Sequence, residues 1–476
     1  MSAAEANSWM EIAQSELFKG WQRWTSFACI WIWSCSAGIL SARSTLAQQL
    51  PGFLAIPNEI VLLATSITLF AALLLSLKVK TIIGSRPIMI FVGALLSGGS
   101  IVAGAGIVWD SVTLFIAGLA TGGVALAPLK IAWGEMYSAM KLQRGLISMG
   151  YSLVSSMIVV IIISGLSQEL IMLAFICATI PCAHLAFQGM KKIEPPMEKE
   201  KHSSGSIVFS GALLLLPAIV ALSYGVVKGL IPLMDAGDSS TALQASEYAE
   251  LLVGALVLVF AYSLGKKVGP AQVYSVALIA VVAGLILVSS QSVSPWISFF
   301  IHDFGFTLFY FFMVVYWGDL SWRTGMPIVR VYTIGYFTFQ FMNLAGSMLG
   351  YYFTGSTNQN HIILISLSIV LALFVVALLL FGNNRSSLRQ WLIADEPSIE
   401  KGDEVPLACS EIAQKYNLSP REQEVLSLLA RGRNASYIAR TLYISPDTAK
   451  THIKNIYRKL DVHTQQNLID FIEKRG

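Results

Sequence analysis

The sequence predicts an all-α protein in two parts: a polytopic transmembrane helical bundle of about twelve spans, followed by a small C-terminal four-helix domain. Three observations predict it. Of 476 residues, 55% are hydrophobic and only 13% are charged, about half the charge that a soluble domain carries. Apolar blocks fill the chain from about Trp21 to Phe381, and charge returns abruptly from Asn383 onward. Capped, amphipathic patterns of period 3.6 then occupy the last stretch.

A helix needs about 20 apolar residues to cross about 30 Å of hydrocarbon. That rule places spans near 22–41, 57–77, 87–108, 111–133, 147–166, 168–189, 207–231, 247–264, 270–289, 295–317, 328–352 and 361–382. The expected division is 1–20 as an N-terminal segment, 21–382 as the bundle, 383–410 as a polar linker and 411–476 as the tail domain. The bundle should break into two six-helix halves near 190–206. Residues Met1 to Leu17 are polar and acidic, without the basic, apolar and cleavage regions of a signal peptide.

Basic residues orient the spans. With the N-terminus cytoplasmic, the inner segments carry Lys78, Lys80, Arg86, Lys130, Lys141, Arg144, Lys191, Lys192, Lys266, Lys267, Arg323 and Arg330. The outer segments carry only Arg43 and Lys228, beside Asp110, Glu169, Asp235, Asp238, Glu247 and Glu250. This positive-inside bias predicts a multi-pass protein of a bacterial inner membrane with both termini cytoplasmic.

Little else in the composition suggests chemistry. The five cysteines, Cys29, Cys35, Cys177, Cys182 and Cys409, show neither zinc spacing nor a disulfide framework and read as small packing residues. No Ser/His/Asp array, metal cluster or phosphate-cradling loop stands out, and the spans show no paired buried carboxylates. Neither catalysis nor a cofactor is expected.

Polar residues inside spans are functional candidates by default. They are Arg43, Lys228, His302, Asp303, Tyr310, Gln340 and Asn343. Lys130 and Glu135 are spaced to pair across a turn. The bland reading makes Arg43 and Lys228 snorkelling cations and the others glue between helices. The functional reading is a cavity for a small organic ligand, such as an aromatic acid drawn by Arg43 or Lys228.

In the tail, Ser419 can cap a helix, Pro420 suits its first position and Glu422 completes a Ser-x-x-Glu capping box. Val425, Leu426 and Leu429 follow at helical spacing, and Gly432 ends the helix. A second short helix, about 435–442, offers Ile438, Ala439 and Leu442 to a core. Ser445-Pro446-Asp447 opens a third, with Ala449, Ile453, Ile456 and Leu460 inward. Its other face carries Thr448, Lys450, Thr451, Lys454, Asn455 and Arg458, groups that neutralise phosphates and reach base edges. A last helix, about 464–473, presents Leu468, Ile469 and Ile472.

The run Leu418-Ser-Pro-Arg-Glu-Gln-Glu-Val-Leu426, with Gly432, Ile438-Ala439, Ile444-Ser445, Thr448, Lys450, His452, Ile456 and Lys459-Leu460, resembles the LuxR-type helix-turn-helix over about residues 415–475. Tyr437 and Ala449 depart from the residues usual there. The resemblance implies a third helix in the major groove of promoter DNA and a fourth that dimerises on a two-fold site, here through Leu468, Ile469 and Ile472. It assigns Thr448, Lys450, Thr451, Lys454 and Arg458 to DNA contact, and Glu424, Gly432, Ile438 and Leu460 to the scaffold.

The two halves, each with a basic Gly-containing turn after its second span (Lys78 to Pro87, Gly265 to Pro270), resemble the major facilitator superfamily. That family's loop Asp is absent here. Together the parts resemble membrane-embedded LuxR-type one-component regulators. The resemblance implies a regulator that lies in the lipid bilayer, binds promoter DNA and answers an unknown small-molecule ligand. The alternative is a transporter with a regulatory DNA-binding tail.

Overall fold

A computed structural model describes residues 14–43, 57–75, 81–140, 142–191, 212–234, 239–260, 270–290, 293–324, 326–354, 415–430 and 446–462, together with isolated positions near these and in the tail. The described residues form two compact units, Met1–Leu392 and Ile393–Gly476. Apart from Pro270, Ile369 and Cys409, the expected twelfth span, the 383–410 linker and the second basic turn lie outside the described residues.

In the first unit the helices are α1 (Trp21–Arg43), α2 (Pro57–Leu75), α3 (Arg86–Val108), α4 (Val112–Ser138), α5 (Leu142–Ser164), α6 (Gln168–Cys177), α7 (Thr179–Lys191), α8 (Ala212–Met234), α9 (Ser239–Val259), α10 (Pro270–Ser290), α11 (Pro295–Thr324) and α12 (Ile328–Thr354). Among the described residues, five segments are long and apolar enough by composition to cross a membrane: 86–108, 112–138, 144–164, 168–191 and 295–318. The outward surface is oily, with Ile67, Phe91, Ile101, Ile162 and Ile279 exposed. Polar side chains such as Glu59, Thr65, His302, Asp303 and Gln340 are buried inside instead. Apolar outside and polar inside is the pattern of a bundle whose solvent is lipid.

Three differences from the expected spans have local causes. The sixth span is two helices, α6 and α7, because Pro181 has no N–H to continue the ladder across Ala178. The fourth continues past its apolar run to Ser138, and its internal Pro128 does not end it. The eighth begins at Ser239, eight residues before the expected 247, since polar Ser, Thr and Gln extend the helix without raising its hydropathy.

Pairing of helices follows an approximate two-fold relation. Within the first half α3 packs on α4, α2 on α4 and α1 on α5; within the second α10 packs on α11, α9 on α11 and α8 on α12. The halves meet through α5 against α9 and α2 against α12, pairs that the same relation exchanges. The α8–α12 contact is backbone on backbone. A Cβ on Gly225 would stand 2.0 Å from the Asn343 carbonyl oxygen, and one on Gly346 would stand 2.2 Å from that of Leu222. Gly229 and Gly350 repeat the contact one turn along, so two interleaved Gly-xxx-Gly patterns set the approach. Gly225→Leu should therefore separate α8 from α12. The expected result is a lower melting midpoint in detergent and loss of the monodisperse peak in size exclusion, whereas Gly98→Leu, with nothing within 4 Å, should leave both unchanged.

In the second unit the continuously described helices are α13 (Pro420–Ala430) and α14 (Pro446–Leu460). Val425, Leu426, Ile438, Ala449, Ile456 and Leu460 close its core. Cys409 and Ile412 belong to that core too, so packing starts before residue 411 and Cys409 is no linker residue.

Candidate nucleic-acid interface and intramembrane polar site

The capping box of α13 is reciprocal: Glu422 N–H donates to Ser419 Oγ (3.2 Å) and Ser419 N–H donates to Glu422 Oε2 (2.8 Å). Lys459 of α14 donates to the same carboxylate oxygen at 2.7 Å and to the Asn417 carbonyl at 2.9 Å. Burial works against the charge of Glu422, but the Lys459 ammonium and the Ser419 N–H outweigh it and hold the carboxyl below its ordinary range. Arg421 donates to the Leu442 carbonyl at 2.6 Å, tying α13 to the segment before α14. The helix that carries the expected DNA-contact residues is thus fixed at its base by charge and by core packing. The resemblance placed Glu424 in the scaffold. Glu424 is instead half exposed in a surface pair with Arg421, and Glu422 is the buried acid.

Thr448, Lys450, Thr451, Lys454 and Arg458 are all exposed on α14, and Asn455 is half-buried, accepting a hydrogen bond from Arg458 at 3.3 Å. Thr448, Thr451, Asn455 and Arg458 follow one stripe at i, i+3, i+7, i+10; Lys450 and Lys454 flank it. Thr451 Oγ1 donates back to the Asp447 carbonyl and Lys450 lies 3.4 Å from Asp447, so both are loosely held at the surface. Inward, Ala449 is fully buried, and its short side chain lets α14 lie close on the core. Leu468 corrects an expectation. It is fully buried in the domain's own core and so does not lie on a dimerising face. Ile469 and Ile472 lie outside the described residues.

In the first unit, the ends of the bundle are named by α1: it starts at the near end and finishes at the far end. Arg43 is not aimed at a cavity. Its guanidinium donates to the Ser164 and Leu166 carbonyls, capping the last turn of α5 at the far end. Lys228 of α8 is partly buried, with its ammonium 3.3 Å from Oε1 of the buried Glu59 of α2, an ion pair between the halves. Lys130 and Glu135 do not pair. Lys130 stands over the Tyr336 ring at 5.6 Å, and Glu135 accepts from Ile82 N–H at 2.7 Å and from the Thr81 hydroxyl. A carboxylate on α4 therefore holds the turn before α3, the loop whose own Asp is missing.

His302 and Asp303 are buried in the middle of the bundle, and around them is a cluster that hydropathy did not reveal. Ser246 of α9 donates to Asp303, and Tyr224 of α8 hydrogen-bonds it as well. Glu250, one turn past Ser246, accepts the Trp31 indole N–H of α1 at 2.5 Å, and its charge acts on Asp303. Glu247 is buried beside them. The expectation that the spans lack paired buried carboxylates is thus overturned. The early start of α9 carries Glu247 and Glu250 two to three turns inside the bundle, and not into an outer segment.

Aromatic rings enclose the cluster. Tyr224 stacks on Phe306 (3.7 Å) and lies parallel to the His302 imidazole (6.1 Å). Tyr310 touches Trp31 and Phe339 (6.3 and 5.3 Å) and hydrogen-bonds Tyr336. Gln340 and Asn343 are buried on α12, the latter beside α8. Five of the seven candidates thus belong to the buried middle of the bundle: His302, Asp303, Tyr310, Gln340 and Asn343. Lys228 adjoins it from the far end, and Arg43 stands apart.

Comparison with known proteins divides the chain along the same line. Residues 416–472 match the family model described as bacterial regulatory proteins, luxR family. The chain is 41% identical over 78 residues to the uncharacterized response regulatory protein YgeK of Escherichia coli K12, covering 16% of this chain and 53% of that one. It is 42% identical over 59 residues to the transcriptional regulatory protein MctR of Rhizobium johnstonii, covering 12% and 28%. The chain thus spans about half or less of the length of these relatives.

The bundle superposes on the human organic anion transporter MFSD10 with a TM-score of 0.54 at 12% identity, over 75% of this chain and 99% of that one. It superposes on the major facilitator transporter FucP in its outward conformation with a TM-score of 0.51 at 13% identity, over 76% and 98%. The chain thus joins a segment that matches the luxR family model to an apolar helical bundle with the fold of major facilitator transporters.

Proposed function

We propose that the protein is a membrane-bound one-component transcription regulator, in which the bundle senses a small molecule and the tail binds promoter DNA. One observation carries the reading: a recognition helix with its polar face open sits on the same chain as a transporter-fold bundle that holds a polar cluster at its centre. The basic bias of the loops supports a bacterial inner membrane with both termini cytoplasmic, the side where DNA lies. Occupancy of the centre would shift the bundle between conformations and so alter the freedom of the tails.

The decisive experiment compares transcripts with and without the protein while supplying a panel of small metabolites. A promoter whose output depends on both the protein and one compound is expected; a protein-dependent promoter indifferent to every compound would leave the bundle as an anchor. For the DNA face, Lys454→Ala and Arg458→Ala should each weaken promoter binding and lower the slope of log affinity against log salt by about one. Normal binding by both variants would place the contact face elsewhere.

A transporter with a regulatory tail is the second reading, favoured by the superposition on solved transporters. It predicts accumulation of the sensed compound in vesicles bearing the protein. Binding without uptake sets that reading aside.

A further inference from the structure

The centre of the bundle carries an excess of negative charge. Among the described residues, Glu247, Glu250 and Asp303 lie there on α9 and α11, while Lys228 adjoins them from the far end, where it faces Glu59 in the first turn of α2. Lys228 lies 3.3 Å from Glu59, whose two oxygens accept no hydrogen bond, and acts on Asp303 only through space. Three carboxyl groups on two neighbouring helices are therefore left without a cation of their own. A bilayer interior penalises uncompensated charge, so such a site must be balanced by protons or by a bound cation.

Two further features point to a ligand. The His302 side chain is 1% exposed, lies flat against the ring of Tyr224, the residue that bonds Asp303, and has an Nε2 with no hydrogen-bond partner. On α12, buried Asn343 keeps its Oδ1 unpartnered. An amide oxygen only accepts, and a neutral imidazole offers one accepting nitrogen. The Asn343 oxygen awaits a donor, and the His302 nitrogen accepts one in the tautomer that leaves Nε2 bare. Trp31, Tyr224, Phe306 and Tyr310 add ring surfaces, which attract a cation over their faces and stack against a flat apolar body. A carboxylate ligand would meet like charge and acceptors, and the cations it would need, Arg43 and Lys228, are already engaged.

Resting on the reading of the bundle as a sensor, we propose that its ligand is an organic cation: a protonated amine on an aromatic or cyclic apolar body, bound between Asp303 and Glu250 against Trp31 and Tyr224. The sign is opposite to the aromatic acid that the two outer cations suggested.

The test uses the full chain in lipid nanodiscs, with binding read by calorimetry and by the shift in melting midpoint. The probes are phenyl, indolyl and cyclohexyl ethylammonium ions, each beside the propionate of the same body. At least one ammonium should bind saturably and raise the midpoint, and its propionate twin should do neither. Asp303→Asn and Glu250→Gln should weaken that binding about thirtyfold or more. Variants with intact unliganded melting profiles are used, and either suffices if the other fails to fold. Tighter binding of a propionate overturns the proposal, as does binding unchanged in a folded variant. So does a midpoint raised by acid alone while no ammonium binds, which would make protons the balancing charge. Ammonium binding without any change in transcription overturns the sensor reading and leaves the ligand class standing.

Discussion

Leu426→Ala in the tail should abolish promoter binding by the full-length protein while leaving the bundle folded. Leu426 is fully buried in the core of the tail, against side chains that include Val425, Ile438, Ile456 and Leu460. Truncating a buried leucine costs about 2–5 kcal/mol. A domain of some 60 residues buries a smaller share of its surface than a large one, and about 5 kcal/mol is typical of its whole stability. The substitution therefore consumes most of the tail's margin, and the face of α14 loses the base on which it is held. Electrophoretic mobility shift with a target promoter checks the loss, and the membrane unit's melting midpoint checks that the damage is local, since the two units are separate compact bodies. Promoter affinity within a factor of about three of the parent would mean that the core tolerates the cavity.

Acid should act on the same joint. The Glu422 carboxyl is held below its ordinary range, so the stability it lends is present above the unfolded carboxyl's pKa. That stability is lost as pH falls through the depressed folded value.

The tail was legible because its signals are local. Ser419 and Glu422 sit three residues apart and cap each other whatever lies around them, and the inward spacing of Ala449, Ile456 and Leu460 is a property of one helix. Leu468 was misread for the complementary reason. One apolar residue on a short helix looks the same whether it faces its own core or a partner, and only the fold shows that it closes the core. In the bundle, apolar runs located the spans, but hydropathy averages over a window and is blind to what a side chain meets. It set Glu247 and Glu250 outside because polar residues precede them, although those residues are helical. It read Lys228 as a lone outer cation because its partner Glu59 is on a helix far away in sequence. Lys130 and Glu135 are spaced as neighbours, yet tertiary partners, the Tyr336 ring and the turn at Ile82, take both. The Gly-xxx-Gly pairs of α8 and α12 carry no meaning singly and become a contact only when they face each other.

The Glu59–Lys228 pair gives the largest expected effect in the membrane unit, and an asymmetric one. Both side chains are largely buried, and the pair joins α2 to α8 across the two halves. Breaking a buried pair by removing one partner typically costs about 3–5 kcal/mol, because the other charge is left without compensation. The two single substitutions are not equivalent here. In Glu59→Gln the Lys228 ammonium keeps a second, more distant attractive charge, that of Asp303. In Lys228→Met, Glu59 is orphaned and the Glu247, Glu250 and Asp303 group loses its neighbouring cation as well. Lys228→Met should therefore lower the melting midpoint more than Glu59→Gln does. The double variant Glu59→Gln/Lys228→Met should recover part of the loss but not all, since Asp303 still lacks the distant ammonium. Full recovery in the double variant would show that Lys228 serves Glu59 alone. Equal loss in the two single variants would show that Asp303 does not draw on Lys228, and the central carboxylates would then be balanced without it.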